Sequence, residues 1–282
     1  MECMKLERTG KKIAYKAISG CLLALSASAA FSGTMGPAVV APGKIYVGVF
    51  GGGGGLSSAD ISQYGTAFFT EAAGGPLAVN SFGTSDSTTF GMVGGHIGYE
   101  WTNVIGMHMP VTPAVELEGY YIGGATLEGH EINNDTTRLT EHDFLVHYPL
   151  KSGVFLVNAV LNANDSLFGN FKPYVGVGIG SAIVSISDAS SLQTSPPEIG
   201  VNHYSETSDK SLAFAAQPKI GFRFDFGSST SVFAEYRFLY LSETSYTFGS
   251  TRSPGHAATA PWEVKIKPQY YNMGTVGINF DL

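Results

Sequence analysis

Apolar and polar residues alternate along eight separate stretches of the chain. Alternation with a period of two is typical of a β-strand that has one apolar face. Each stretch is long enough for a tilted strand to cross a bilayer, which takes ~9–11 residues. The predicted strands are 44–52, 90–101, 114–125, 154–163, 173–184, 212–226, 231–241 and 269–282. The strand 154–163 is ambiguous, because both of its faces are apolar except at Asn158 and Asn162.

The charges in these strands lie on the face opposite the aromatic rings. In the sixth strand, for example, Phe222 and Phe224 alternate with Lys219, Arg223 and a carboxylate. A soluble barrel of the lipocalin type would place its apolar residues inside and its polar residues outside. A membrane barrel has the reverse arrangement, with apolar residues facing lipid. Rings near the strand ends, such as Trp101 and Phe226, also suit a membrane interface.

The connections between the predicted strands are alternately long and short. The long ones are 53–88, 126–153, 185–211 and 242–268, and they are rich in Ser, Thr, Gly, Asn and Asp. This composition predicts polar loops rather than packed elements. The pattern predicts an all-β fold, an eight-stranded antiparallel up-and-down transmembrane β-barrel with four long external loops. Both termini would then face the periplasm.

The last strand ends on an apolar residue at the end of the chain. Val276, Ile278 and Phe280 lie on the face that also carries Leu282, which suits a strand whose outer face meets lipid. The tail is similar to the C-terminal signal by which outer-membrane proteins are recognised for assembly. The residues that carry this similarity are Thr275, Gly277, Phe280 and Leu282. That signal usually ends in Phe, whereas this chain ends in Leu.

The first thirty residues are typical of a secretory signal peptide. Lys11, Lys12 and Lys16 precede a short apolar core at 18–27, and small residues follow it up to Ala30. The core is too short to span a bilayer. We therefore predict a cleaved signal peptide over 1–30 and a barrel domain over 31–282.

A lipoprotein signal is the alternative interpretation of the same segment. Ile18, Ser19, Gly20 and Cys21 resemble a lipoprotein cleavage box, but Lys16 interrupts the residues before it and the apolar run follows it. Cys21 and the only other cysteine both precede the predicted cleavage site. The mature chain would therefore have no disulfide.

Composition agrees with strands that are apolar on one side. Charged residues make up 14% of the chain, whereas about a quarter is usual for soluble domains. No apolar run after residue 30 reaches the ~18 residues of a membrane-spanning helix. The net charge of −7 argues against nucleic acid as a partner.

Together these features resemble the small OmpA/OmpX-like and opacity-type outer-membrane barrel proteins. The stretches 172–180 (KPYVGVGIG) and 234–238 (AEYRF) are similar to the fifth and seventh strands of that group. The resemblance covers the predicted mature chain and concerns architecture more than activity. It implies a location in the outer membrane, with membrane lipid and the barrel-assembly machinery as partners.

The inward faces carry the most specific chemistry of the sequence. The bore of an eight-stranded barrel is just wide enough for side chains, and charges buried there must pair. The predicted network consists of Glu116, Glu118, Lys219, Arg223, Glu235 and Arg237. A hairpin that pairs Phe226 with Val232 would place Arg223 directly opposite Glu235. Such a network is either a static polar core or a gate for a narrow ion path.

The remaining motifs are weak. The residues 141–143 with His147, and His130 with Glu131, could supply metal ligands, but their spacing matches no closed site. The glycines 51–55 lack the Gly-Lys-Ser/Thr ending of a phosphate loop. We therefore predict no metal, no cofactor and no catalytic residue.

Three functions are compatible with this architecture. The first is a structural and interaction scaffold whose outer loops contact host or cell-surface molecules, as an adhesin or surface antigen does. The second is a channel for ions or small solutes. The third, a lipid-acting enzyme, would need a Ser–His or Asp–His arrangement at the outer rim, and His96 instead lies inside. We expect the scaffold, and we expect no enzymatic activity.

Overall fold

A computed structural model describes residues 43–102, 111–163, 169–198, 200–227, 229–253 and 256–282. The predicted signal peptide over 1–30, the start of the mature domain at 31 and Cys21 lie outside the described residues. Within them, no helix is long and apolar enough to cross a bilayer.

The described residues form thirteen strands and one 3-10 turn, Glu71–Ala73. The strands are β1 Gly43–Leu56, β2 Asp60–Ala67, β3 Leu77–Ser85, β4 Thr88–Trp101, β5 Val111–Asn133, β6 Asp143–Ala163, β7 Phe171–Ile186, β8 Ser190–Ser195, β9 Asp209–Phe226, β10 Thr230–Leu241, β11 Thr244–Phe248, β12 Trp262–Ile266 and β13 Gln269–Asp281.

Eight of these strands close a barrel. They pair in the order β1-β4-β5-β6-β7-β9-β10-β13, and β13 pairs back onto β1. Every neighbouring pair in this ring is antiparallel. Closure gives every barrel strand a hydrogen-bonded neighbour on both sides, which a lipid environment requires. The predicted all-β, eight-stranded antiparallel up-and-down barrel is confirmed.

The barrel is apolar outside and polar inside. The charged residues of the bore are buried, whereas large apolar side chains of the same strands are exposed on the outer wall. Members of this outer apolar belt are Ile45, Val49, Val93, Ile97, Leu117, Phe155, Val157, Leu161, Val175, Val177, Ile179, Phe214, Ile220, Phe222, Val232 and Val276. This is the polarity of a transmembrane barrel and the opposite of a soluble one.

Aromatic rings border the belt at both ends. At the end with the short turns, the rings of Tyr99 and Trp101 meet edge to face at 5.1 Å, and Phe226 is exposed at the same end of β9, on the other side of the barrel. At the opposite end, Tyr270 packs 6.0 Å from Phe238. Rings in these positions suit the two interfaces of a bilayer.

The β5–β6 hairpin is about twice as long as a bilayer requires. β5 has 23 residues and β6 has 21, against the ~9–11 needed to cross. The register shifts by one residue between Ile122 and Ala125, where Gly124 has a φ of +84°. A bulge with a left-handed glycine bends a strand at low cost. Beyond it, 125–132 pairs with 143–150 outside the barrel wall.

The prediction that the long connections are polar loops without packed elements is wrong. They contain β2, β3, β8, β11 and β12, which pair in the order β11-β12-β2-β3-β5 on one side and β6-β8 on the other. We call these five strands, with 125–133 of β5 and 143–150 of β6, the extension. Short alternating segments form it; in β12, for example, Trp262, Val264 and Ile266 are buried. A shared core explains why such Ser- and Thr-rich segments are ordered.

Side chains cover one edge of the extension. β11 is the last strand of its sheet, and its outer backbone N–H groups bond to side chains of β9. The Ser245 N–H donates to Ser211 Oγ at 3.1 Å, and the Thr247 N–H donates to Asp209 Oδ2 at 2.7 Å. An unpaired edge strand would otherwise offer these groups to another chain.

The predicted register of the β9–β10 hairpin is wrong by two residues. Phe226 pairs with Thr230 rather than Val232. The turn begins at once at Gly227, whose φ of +73° only glycine adopts readily. Because the error is an even number, every side chain keeps its predicted face. Arg223 therefore lies opposite Phe233, and Glu235 lies opposite Gly221.

Placing a charge in the centre of the belt should destabilise the barrel. Val177 is 62% exposed in the middle of β7. We expect Val177→Arg to lower the free energy of unfolding in liposomes by about 2–4 kcal/mol, the usual cost at the bilayer midplane. Urea titration measures this change.

Phe82→Arg is the matched control. Phe82 is also an exposed apolar residue, 51% accessible, but it lies in the extension. We expect a smaller effect from this substitution because the new charge stays in water. Equal losses for the two variants would contradict our placement of the belt.

Candidate functional site

The bore contains a compact network of five charged side chains, which we call the axial network: Glu116 and Glu118 from β5, Lys219 from β9, and Glu235 and Arg237 from β10. All five are buried. β5 and β10 lie on opposite sides of the eight-stranded ring. The network therefore crosses the full width of the bore.

Two cations hold the three carboxylates. Lys219 Nζ lies 2.6 Å from Glu116 Oε2, 3.5 Å from Glu118 Oε2 and 3.8 Å from Glu235 Oε2. Arg237 donates to Glu118 Oε1 at 2.8 Å, across the bore, and to Glu235 Oε1 on its own strand. Mutual pairing of this kind is what allows ionised groups to be buried.

Neutral side chains complete the hydrogen bonding of the carboxylates. Tyr46 Oη donates to Glu116 at 2.8 Å, and Tyr174 Oη donates to Glu235 at 2.9 Å. Gln217 Nε2 donates to Glu118 at 3.0 Å. These bonds add strands β1 and β7 to the network, so side chains from several strands meet at the axis.

Aromatic rings surround the central guanidinium. The Arg237 guanidinium carbon lies 4.1 Å from the centroid of the Phe50 ring, a favourable cation–π distance. The Phe50 ring in turn packs against Tyr120, Phe233 and His96, with centroids 5.8–6.4 Å apart. This part of the bore is filled by side chains and is not an open passage.

A second ionic cluster lies nearer the end with the short turns. Arg223, the sixth predicted member of the network, does not contact Glu235; its guanidinium lies 3.2 Å from Glu100 and 3.3 Å from Asp225. Lys172 also pairs with Asp225. The structure therefore brings five of the six predicted charges together and places Arg223 in a separate cluster.

The residues of the predicted assembly signal divide between the two faces of β13. Thr275 is buried, and its hydroxyl donates to Glu235 at 3.2 Å. Phe280 and Leu282 are exposed on the outer face. Gly277 sits beside Phe233, whose ring would lie within 2.4 Å of an added Cβ. This last position admits only glycine without rearrangement.

His96 lies inside the barrel, as predicted. Its Nε2 is 2.9 Å from Asn279 Oδ1, and its ring packs between aromatic side chains. A His–Asn contact lacks the nucleophile that a hydrolase needs. His96 could also join Glu116 and Glu118 around a metal ion, but those carboxylates are already paired with Lys219 and Arg237.

The extension has its own buried polar centre. Tyr148 Oη and Tyr204 Oη are 2.7 Å apart, and Tyr204 also donates to Gln63 Oε1. Glu131 is fully buried close by and accepts a 3.0 Å hydrogen bond from Ser81 Oγ. Burial raises the pKa of the Glu131 carboxyl to about 8, because the charged form is poorly solvated there. The hydrogen bond from Ser81 lowers it by less.

The outer wall of the extension carries an apolar stripe across four strands, made of Phe82, Ile132, Leu145 and Leu192. Phe82 pairs with Ile132, and Leu145 pairs with Leu192. Leu145 is the diagonal neighbour of Ile132, since it pairs with His130. The other diagonal of the same positions carries His130 and Asp143, whose side chains are 2.9 Å apart, so the stripe consists of two apolar pairs on either side of this polar contact.

A polar row of exposed side chains borders and interrupts this stripe on the same wall. Glu128 and His147 pair directly on β5 and β6, and their side chains are 2.7 Å apart. His130 and Asp143 form a second exposed pair at 2.9 Å. Of the residues considered as metal ligands, His130, Asp143 and His147 thus belong to two separate His–carboxylate pairs on the outer wall, and Glu141 and His142 belong to neither. Glu131 points the other way, into the core.

A second group of potential metal ligands was not found from the sequence. Glu198 and His203 come from the connection between β8 and β9, and His256 comes from the connection between β11 and β12. Their ligand atoms lie within 4.8 Å of one another. Burial lowers the pKa of the His203 imidazolium. The three residues are too far apart in sequence, and too irregularly spaced, to form a motif.

Known structures resemble this chain over most of its length. One is outer membrane protein OprG from Pseudomonas aeruginosa: 12% identity, 83% of this chain and 95% of that chain, TM-score 0.35. A second is Neisserial surface protein A: 12% identity, 84% and 96% coverage, TM-score 0.33. A third is the outer membrane protease OmpT from Escherichia coli: 6% identity, 88% and 99% coverage, TM-score 0.39.

No protein-family model matches the chain, and the comparison with curated proteins finds no match. The activity of any structural neighbour is therefore not transferred to this chain. The barrel described above stands on its own strand pairing and on the polarity of its two faces.

Removing one member of the axial network should destabilise the barrel strongly. Glu235→Ala would remove the acceptor of two hydroxyl donors and leave Lys219 and Arg237 with two buried carboxylates instead of three. We expect a loss of about 3–5 kcal/mol, as is usual when a buried ion pair loses one partner. The measurement is the temperature at which the detergent-solubilised barrel loses its folded electrophoretic mobility.

Glu243→Ala is the control for this prediction. Glu243 pairs with Lys267 at 2.7 Å, but both side chains are exposed. Exposed pairs contribute little to stability, so this variant should behave as the wild type. Equal effects of the two substitutions would refute the structural role of the axial network.

The extension should become less stable as pH rises. Glu131 has a folded pKa of about 8, above its ordinary value of 4.5. The contribution of Glu131 to the stability of the extension is therefore greatest below pH 4.5. This contribution is lost as pH rises through 8, with a total change of up to about 5 kcal/mol. In a Trp101→Phe background, the fluorescence of Trp262 reports urea unfolding of the extension between pH 5 and 9.

Glu131→Gln should remove most of this pH dependence, since the amide does not ionise. Glu141→Gln, at an exposed position between β5 and β6, should leave it unchanged. If Glu131→Gln loses stability with pH as steeply as the wild type, the assignment to Glu131 is wrong.

Proposed function

We propose that this protein is an outer-membrane scaffold whose extension contacts other molecules at the cell surface, as an adhesin or surface antigen does. The observation that carries the proposal is the apolar stripe on the wall of the extension. Large apolar side chains grouped on the exposed wall of a structure that lies in water are typical of an interaction site. The function is one of binding and not of catalysis.

The orientation of the barrel follows from the same proposal. Outer-membrane barrels have short periplasmic turns and longer external loops. The extension comes from the long connections, so it would face outward and both termini would face the periplasm. The belt would contact outer-membrane lipid, and the exposed end of β13 would be available to the barrel-assembly machinery.

The filled bore favours the scaffold over the channel. Lys219 and Arg237 pair with carboxylates from opposite sides of the barrel. Tyrosine hydroxyls donate further hydrogen bonds to these carboxylates. An ion path would require these contacts to open, leaving buried charges unpaired at a cost of several kcal/mol. A static network instead gives the extension a rigid base.

Substituting the stripe should reduce adhesion while leaving the barrel intact. We expect cells that produce the Phe82→Ser/Ile132→Ser variant to bind a cultured epithelial monolayer, and one another, several-fold less than wild-type producers. Glu128→Ser/His130→Ser is the matched control, because these exposed residues lie on the same wall in the polar row. Heat-modifiable electrophoretic mobility checks that each variant is folded and present in equal amount.

Two results would overturn the proposal. The first is adhesion by wild-type producers that does not exceed that of cells lacking the protein. The second is discrete ion conductance by the purified protein in a planar bilayer, which would favour the channel instead.

A further inference from the structure

Three side chains from two distant connections of the extension meet at one point. Glu198 follows β8, His203 lies before β9, and His256 lies between β11 and β12. Their carboxylate and imidazole atoms lie within 4.8 Å of one another. The His203 and His256 rings meet edge to face, with centroids 5.4 Å apart.

A cation shared by the three side chains fits the distances among them better than hydrogen bonds between all of them. Glu198 Oε1 contacts His256 Nε2 directly, whereas Glu198 Oε2 lies 4.0 Å from His203 Nε2, which is too long for a hydrogen bond. Ligand atoms around a tetrahedral zinc ion lie about 3.3–3.5 Å apart. Movements of about an ångström would bring the three atoms to this separation.

The tautomer of His203 is fixed from outside the cluster. Its Nδ1 lies 2.9 Å from the carbonyl oxygen of Ser191 and must donate to it. The Nε2 atom of the neutral ring therefore presents a lone pair toward Glu198. A backbone carbonyl on the far nitrogen is the usual second contact of a metal-binding histidine.

The peptide around His203 is also held rigidly. Thr251 Oγ1 donates to the His203 carbonyl oxygen at 3.0 Å, and Trp262 Nε1 donates to Thr251 Oγ1 at 3.2 Å. The Phe144 ring packs edge-on to the imidazole at 5.2 Å. His203 itself is only 6% exposed. The position of one ligand is thus determined before any ion binds.

One oxygen of the cluster lacks a hydrogen-bond partner among the described residues. Glu198 Oε2 is buried and accepts no hydrogen bond. A buried carboxylate oxygen without a donor is costly and calls for an explanation. A cation bound between this oxygen and the two imidazoles would supply the missing partner.

We propose that Glu198, His203 and His256 bind a divalent transition-metal ion, zinc in particular. Two imidazole nitrogens and one carboxylate oxygen are ligands that zinc prefers, and three protein ligands leave one coordination position for water or another ligand. The Glu198 and His256 side chains are partly exposed, so that position is reachable from solvent.

The ion would tie together two parts of the extension. It would join the segment between β8 and β9 to the segment between β11 and β12. Binding to the folded form alone would stabilise the extension in proportion to the logarithm of ion concentration. The proposal does not depend on the adhesive function and would stand if that function were refuted.

Zinc titration of the tag-free, metal-stripped mature protein in detergent micelles tests the site. With a chromogenic indicator as competitor, we expect one equivalent of zinc per chain for the wild type. Glu198→Gln keeps the size of the side chain, and His256→Ala removes a partly exposed ring. Each should weaken binding by about tenfold or more, since each removes one of three ligands.

His130→Ala and His147→Ala are the matched controls, because each removes an imidazole that pairs with a carboxylate on the outer wall of the extension. Both should bind zinc as the wild type does. Zinc should also raise the urea midpoint reported by Trp262 in the wild type and not in Glu198→Gln. Failure of the wild type to bind, undiminished binding by both site variants, or loss of binding in either control would overturn the proposal.

Discussion

The pairing of charges across the bore is the contact on which the rest of this structure depends. A barrel that turns its apolar face to lipid must bury its polar residues along its own axis, where they can be solvated only by one another. Lys219 and Arg237 meet this requirement by contacting carboxylates of β5 and β10, which lie on opposite walls. The same contacts that neutralise the bore also brace its cross-section.

The barrel supports the extension at one of its ends. β5 and β6 continue past Gly124, β3 pairs onto β5 and β8 pairs onto β6. β2, β12 and β11 follow beyond β3 in the same sheet. The apolar core of the extension, which includes Leu127, Val146 and Phe248, is continuous with that of the barrel. The long connections therefore present defined β-surfaces and not flexible loops, so a binding face can be assigned to particular side chains.

The sequence predicts the barrel far better than it predicts the extension. The eight barrel strands have long alternating faces, because each must meet lipid on one side over its whole length. In β11 and β12 the same alternation lasts only five residues among Ser, Thr and Gly. It can be recognised in retrospect from Trp262, Val264 and Ile266, but such short runs also occur in loops.

The candidate sites of the barrel and of the extension differ in the same way in how far the sequence predicts them. The inward position of charged residues such as Glu116 and Lys219 can be predicted from alternation. The face on which a side chain lies depends only on whether its position along the strand is odd or even. The partners of these charges depend on the strand register. The turn at Gly227 shifts the register of the β9–β10 hairpin by two residues from the predicted one, so the predicted pairing of Arg223 with Glu235 is wrong. The group at Glu198 depends on tertiary contacts between separate connections, and no spacing in the sequence indicates it.

The side-chain hydrogen bonds that cover the edge of β11 have a mechanical consequence. Elsewhere in the extension neighbouring strands share a ladder of main-chain hydrogen bonds, whereas β11 meets β9 through the side chains of Ser211 and Asp209. Two such bonds can break one at a time without disturbing the barrel wall. The contact between β11 and β9 is therefore where the extension would first open under mechanical load. Opening there would expose an unpaired strand edge, which is a template for strand exchange between neighbouring molecules.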